Sequence, residues 1–222
     1  MKVSAIIPAA GIGKRFGEKK QLKFLKGEAL FIRTLKPFLL SNLISEIVLV
    51  VSANEREKFQ NELDNISYSK PIFLIPGGTR RQDSVKNGVL ASNKLSDMVC
   101  IHDAARPFIS GKLIEKSILA CQKADGSVVA IQSNDTVKIS KNKKISHTLD
   151  REKIWLVQTP QVFWRHKLIK AINDVSFKDI TVTDESSIME KMGYKIILVK
   201  GENKNFKITN AFDWKLAKNL IV

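Results

Sequence analysis

Short apolar runs alternate with helix-spaced stripes along most of this chain. VSAII, at residues 3–7, reads as a buried strand, and beyond a glycine-rich loop Phe31, Leu35, Phe38 and Leu39 recur at helical spacing. EIVLVVS, PIFLIP and MVCIHD are further short buried runs, with the helical segments REKFQNEL and RQDSVKNGVLAS between them. Strand and helix in alternation predict an α/β fold, Rossmann-like, with a mostly parallel sheet and helices on both faces. Ligand sites in such a sheet lie beyond the carboxyl ends of the strands, so each charged or glycine-rich segment after a strand is a candidate.

The second half continues the pattern with one interruption. Ile114, Ile118 and Cys121 form a helical stripe and GSVVAIQ a further strand, but residues 133–154 are polar and strongly basic, with alternating residues on both sides of NKK. That segment predicts a projecting β-hairpin arm, too short to be a domain. RHKLIKAI and the stretch from TDESS read as helices, YKIILV as a strand, and Phe212, Leu216 and Leu220 share one face of a last helix. Without repeats or linkers, residues 1–222 are expected to form a single domain.

The chain carries 37 Lys and Arg against 22 Asp and Glu, a net charge of +15. Such an excess favours anionic partners, whether nucleic acid, a membrane surface or phosphorylated small molecules, and composition does not choose among them. Only eight of the cations are Arg. Lys is the usual solvated cation, so the Arg positions carry more information. Cys100 and Cys121 have no paired spacing, which suggests neither a zinc site nor a disulfide framework and points to a reduced, cytoplasmic protein. MKVSAII lacks the apolar core of a signal peptide, and no apolar run approaches the roughly 20 residues that span a bilayer.

PAAGIGKRFGEKKQ, from Pro8 to Gln21, follows the first strand with three glycines. The dinucleotide fingerprint fails there because the third glycine, Gly17, comes one position late and Glu28 is badly placed for a ribose, which also weakens a dehydrogenase reading. The P-loop pattern is absent too. What remains is a turn whose small residues let backbone N–H groups approach an anion, with Arg15 and Lys20 beside it, or else a tight turn carrying surface lysines. PGGTRRQDSV places Arg80 and Arg81 after another strand and then opens a helix whose free N–H groups favour negative charge. HDAARP adds Asp103, able to hold magnesium, and Arg106, able to grip a phosphate or orient that carboxylate; the two also fit a structural ion pair.

PAAGIGKRF with Lys20 and Gln21, GGTRRQDSV, HDAARP, DTVK, LDREKIW with QTPQ, TDES and NFKIT stand in the order found in the 2-C-methyl-D-erythritol 4-phosphate cytidylyltransferases, which the chain resembles over nearly its whole length. The resemblance implies transfer of CMP from CTP to a phosphorylated polyol, methylerythritol phosphate, with release of pyrophosphate and with Mg2+ as cofactor. It implies that Arg15 and Lys20 stabilise charge on the triphosphate while Pro8, Ala9, Ala10, Gly11 and Gly13 wrap the nucleotide. Gly78, Arg81 and Ser84 match the cytosine-reading segment, and Ala104 the ribose contact. Asp103 would lie near the metal and, with Arg106, Thr136, Arg151, Thr183 and Lys207, near the second substrate, Arg151 and Lys207 also serving catalysis. The resemblance further implies a homodimer whose arms carry Thr136 and Arg151 into the partner's site.

Two rivals remain. A ribitol 5-phosphate cytidylyltransferase would share the nucleotide half, but PAAG and LDREKIW favour methylerythritol phosphate. A basic nucleic-acid-binding protein would bind in a salt-sensitive way, yet no aromatic stacking platform supports it. Thr183 and Asp184 before an apolar stretch also read as an ordinary helix N-cap.

Overall fold

The computed structural model describes residues 1–11, 13, 16–174 and 183–221. Its strands in chain order are β1 (Val3–Pro8), β2 (Phe24–Leu25), β3 (Glu28–Ala29), β4 (Ile44–Val51), β5 (Ile72–Pro76), β6 (Met98–Ile101), β7 (Gly126–Gln132), β8 (Lys138–Lys141), β9 (Lys144–Thr148), β10 (Trp155–Trp164) and β11 (Ile196–Lys200). Helices are α1 (Leu30–Leu40), α2 (Arg56–Asp64), α3 (Arg81–Ala91), α4 (Gly111–Cys121), α5 (Arg165–Asn173), α6 (Glu185–Lys191) and α7 (Ala211–Leu220).

Among the described residues the central sheet has seven strands in the order β11-β7-β10-β6-β1-β4-β5. β1 pairs in parallel with both β4 and β6, β4 with β5, and β7 with β11, while β10 runs antiparallel between β6 and β7. β10 is the strand that periodicity does not mark. Its middle, Gln158-Thr159-Pro160-Gln161, has the polar residues and proline of a loop, and the register shifts between Val157 and Gln161.

The period-2 alternation of the strands sorts the core into two layers. Ala5 and Ile7 of β1 pack with Phe31, Leu35 and Phe38 of α1, Phe59 of α2 and Ile114 and Ile118 of α4. Ile6 faces the other way, in a layer with Val85 and Val89 of α3, Leu168 of α5 and Met189 of α6. Helices on both faces leave the strand ends as the open surface. From β1 the chain runs outward through β4 to β5 and then returns to the other side of β1 as β6. β1 therefore lies at the topological switch point, where the following loops diverge and leave a crevice.

α7 departs from its pattern. Phe212, Leu216 and Leu220 do share a face, but it is the exposed one; Trp214 and Ala217 fill the small core with Leu25, Leu30 and Ile208. The arm forms as expected, β8 pairing antiparallel with β9 around Asn142 and Lys143, both at positive φ. Every residue of its two strands is exposed.

Candidate active site

A cleft of about 770 Å³ opens over the carboxyl ends of β1, β4, β5 and β6. Its walls include Pro8, Ala10, Gly11, Gly13, Lys20 and Gln21 on one side and Gly77, Gly78, Arg81 and Ser84 on the other, with Asp103, Ala104 and Lys207 as the floor and far wall. Two glycine loops thus meet across one space.

The first loop is held by its backbone. Ala9 donates its N–H to the Val50 carbonyl at 2.7 Å, the Gln21 amide donates to the Gly11 carbonyl at 3.0 Å, and Ser52 Oγ donates to the Ala10 carbonyl at 3.2 Å. Gly13 has φ +70°, and a Cβ there would fall 2.0 Å from the Glu18 carbonyl oxygen, so only glycine allows the turn. Lys20 is 7% exposed, its ammonium 5.5 Å from the Phe16 ring centroid, and it lines the cleft beyond this turn. Arg15 lies outside the described residues.

The second loop leaves β5 so close to the first that a Cβ on Gly77 would sit 2.5 Å from Ala10 Cβ. Gly78 donates its N–H to Ser84 Oγ at 3.1 Å, across the opening turn of α3. Arg80 and Arg81 then part company. Arg80 folds back on Asp83, whose carboxylate also accepts the Arg80 N–H at 3.1 Å, and this hydrogen bonding lowers the Asp83 pKa to about 2. Arg81 turns inward: its Nε donates to Asp103 Oδ1 at 3.2 Å and its Nη1 to both oxygens of Glu185, at 2.7 and 3.0 Å.

Asp103 is the charged centre of the site. Its Oδ2 lies 2.9 Å from Lys207 Nζ and 3.7 Å from Arg106 Nε. Burial works against the carboxylate, but Arg81, Lys207 and Arg106 outweigh it and hold the group well below the usual carboxylate range. Behind it, His102 Nε2 faces the Arg106 carbonyl at 3.1 Å. A carbonyl only accepts, so that nitrogen carries the proton, and Nδ1 accepts from the Thr159 hydroxyl at 3.0 Å. Thr159 Oγ1 in turn accepts the Asp103 N–H at 3.1 Å. Burial lowers the His102 pKa to about 4, consistent with this neutral imidazole.

Lys207 arrives from the far end of the chain on a loop pinned to the same turn. Ile208 donates its N–H to the Ala105 carbonyl at 2.9 Å, and Arg106 Nη1 donates to the Asn205 carbonyl at 2.8 Å. Arg106 is buried behind Asp103 and does not line the cleft. Ala104 is fixed from α1, whose Thr34 hydroxyl donates to its carbonyl at 2.9 Å.

The remaining candidates lie apart. Ala9 is buried beneath its loop; Thr136, Arg151 and Thr183 are exposed, and none of the four lines the cleft. Asp184 is an N-cap, its carboxylate accepting the Ser187 N–H at 3.2 Å. Sequence reasoning missed Glu185, whose partner is 104 positions away, and the supporting Gln21 and Thr159, although both stand inside the KQ and QTPQ strings. Among the described residues no three His, Cys, Asp or Glu side chains cluster to hold a metal. No helix among them is long and apolar enough to cross a membrane.

The chain matches known proteins over nearly its whole length. The family model described as 2-C-methyl-D-erythritol 4-phosphate cytidylyltransferase matches residues 3–222. The curated enzyme of that name from Alkaliphilus oremlandii is 37% identical over 99% of this chain and 95% of its own. Among solved structures, 4-diphosphocytidyl-2C-methyl-D-erythritol synthase from Anaerococcus prevotii superposes with a TM-score of 0.87 at 31% identity, covering 98% of this chain and 96% of its own. The 2-C-methyl-D-erythritol 4-phosphate cytidylyltransferase of Thermus thermophilus gives 0.81 at 29% identity, covering 99% and 98%.

Proposed function

The chain belongs to the 2-C-methyl-D-erythritol 4-phosphate cytidylyltransferase family, and from that premise we propose that its cleft transfers CMP from CTP to the phosphate of methylerythritol phosphate. The reaction is a displacement. A phosphate oxygen of the acceptor bonds to the α-phosphorus of CTP as the bond to the bridging oxygen breaks, and pyrophosphate leaves with that electron pair. No covalent enzyme intermediate is required, so the protein's task is to bring two anions together and stabilise the charge on the phosphates.

The observation that carries this reading is that Lys20, Lys207 and Asp103 line one cleft with both glycine loops. Lys20, with Arg15, serves the triphosphate against the backbone of Gly11 and of Gly13. Gly78 and Ser84 offer main-chain groups and a hydroxyl to the cytosine edge, and Ala104 faces the ribose. A site built to pair the cytosine amine leaves its own groups unpaired when uracil enters, which is the basis of base selection. Lys207, held by Asp103, meets the acceptor phosphate. Asp103, whose oxygens already face Arg81, Arg106 and Lys207, is the residue that would hold magnesium, and the ion would neutralise part of the phosphate charge.

The site for the second substrate is completed by a second copy of the chain. Thr136 and Arg151 stand on the arm outside their own chain's cleft, and the arm and adjoining strand expose Ile139, Ile145, Leu156 and Val157, which supports an interface there. In the homodimer each site takes Thr136 and Arg151 from the partner, with Thr183 from the main body. Pyrophosphate release from CTP tests the reading, with methylerythritol phosphate and ribitol 5-phosphate offered side by side. Turnover with the first and little with the second is expected; preference for ribitol 5-phosphate, or release with neither, contradicts it.

A further inference from the structure

Glu185 lies outside every role assigned above, yet its carboxylate is almost wholly buried, the residue being 1% exposed. Both its oxygens accept from one guanidinium nitrogen of Arg81; burial raises the Glu185 pKa, and the Arg81 guanidinium works against that rise and favours the ionised form. Its backbone is anchored to the sheet. Asp184, the residue before it, accepts from Gln161 of β10 at 2.7 Å, and Gln161 accepts the Ser186 N–H at 3.2 Å. A rigid support of this kind is what a charged side chain needs in order to hold another group still.

We propose that Glu185 is a positioning residue for nucleotide binding: by holding Nη1 of Arg81, the first residue of α3, it fixes the opening turn beside Gly78 and Ser84 and sets the Nε contact to Asp103. This rests on the cytidylyltransferase reading of the cleft. A guanidinium pairs with a carboxylate most strongly as a two-pronged fork. Released from Glu185, Arg81 loses its fixed orientation and is drawn towards Asp103, the acid that still pairs with it. Gly78, before α3, and Ser84, within it, are hydrogen-bonded across the opening turn that Arg81 begins, and both line the cleft, so displacement of Arg81 disturbs the cytosine wall. One relay of charge, Glu185 to Arg81 to Asp103 to Lys207, thus joins α6 to both halves of the site.

Two physical roles predict opposite signs. Glu185 adds a negative charge to a cleft that takes a polyanion, so if it acted through its field alone, Glu185→Gln would tighten CTP binding. As a positioning residue its loss weakens it. Titration calorimetry of CTP onto the full-length wild type, Glu185→Gln, Arg81→Gln and the double variant separates these. The positioning role predicts about tenfold weaker binding in Glu185→Gln, a KM for CTP raised more than kcat is lowered, and no further loss when Glu185→Gln is added to Arg81→Gln. Unchanged or tighter binding in a folded Glu185→Gln protein overturns the proposal, as does a double variant that loses the sum of both effects. If Glu185→Gln does not fold, Arg81→Gln against the double variant decides, equal affinities supporting the role and a further loss rejecting it. A wild type that binds no CTP removes the cytidylyltransferase reading, and this role with it; a wild type that binds while Glu185→Gln matches it removes this role alone.

Discussion

Lys207 Nζ stands 2.9 Å from Asp103 Oδ2, so a loop near the end of the chain is tied to the carboxyl end of β6 at the topological switch point. The carboxylate orients the ammonium, and the ammonium helps keep the carboxylate charged despite its burial. Each group is where it is because of the other. Lys207→Ala is expected to lower turnover by about a hundredfold or more, while CTP affinity changes less because Lys207 serves the acceptor. Pyrophosphate release and CTP titration on the same preparation check the split; equal losses in both would place Lys207 on the nucleotide instead.

His102 gives the protein an acid-sensitive element beneath the site. Its pKa is ordinarily about 6.5, and burial lowers it to about 4 in the folded protein. Between those values the unfolded chain binds the proton and the folded one does not. The stability it contributes is complete above about pH 6.5 and is lost as pH falls towards 4, about 3 kcal/mol across the window. Asp103, with a depressed pKa, keeps its contribution down to about pH 4, where its unfolded carboxyl begins to protonate. Denaturant unfolding at a series of pH values should show the loss in the wild type and a flatter profile over pH 4 to 6.5 in His102→Gln.

Gly13→Ala is expected to reshape the first loop. The 2.0 Å approach to the Glu18 carbonyl excludes a side chain outright, and the positive φ alone would cost an alanine about 1–3 kcal/mol. The loop escapes by moving, so the larger effect falls on CTP binding rather than on melting temperature. Titration calorimetry beside a thermal melt measures both; wild-type affinity would mean that the nucleotide does not use this turn.

The arm predicts complementation. A chain with Arg151→Ala and a chain with Lys20→Ala are each expected to be nearly inactive, but a mixed dimer has one site that regains both residues. Activity should reappear when the two are mixed under conditions that exchange subunits. Continued inactivity after exchange is confirmed by mass would show that Arg151 serves its own chain's cleft.

The inner parallel strands β1 and β6 were legible because they are buried on both faces and therefore mostly apolar, as VSAII and MVCI are. β10 was not, since Gln158 and Thr159 are polar for a reason visible only in three dimensions: they hydrogen-bond to Glu202, Asn205 and His102 across the fold. For α7, periodicity marked a stripe but not the direction it faces, and Trp214 took the buried side by packing against Phe16. At the site, the glycine loops and the Asp103 turn were marked by local residue chemistry. Glu185 was hidden because its local context, the first turn after Asp184, accounts for an acid without any distant partner.

A crystal structure with CTP and magnesium bound tests the central claim most directly. Electron density for the cytosine beside Gly78 and Ser84, and for the triphosphate against Gly11, Gly13 and Lys20, is the predicted result. CTP bound elsewhere on the protein, with the cleft between the two glycine loops filled only by solvent, would contradict it.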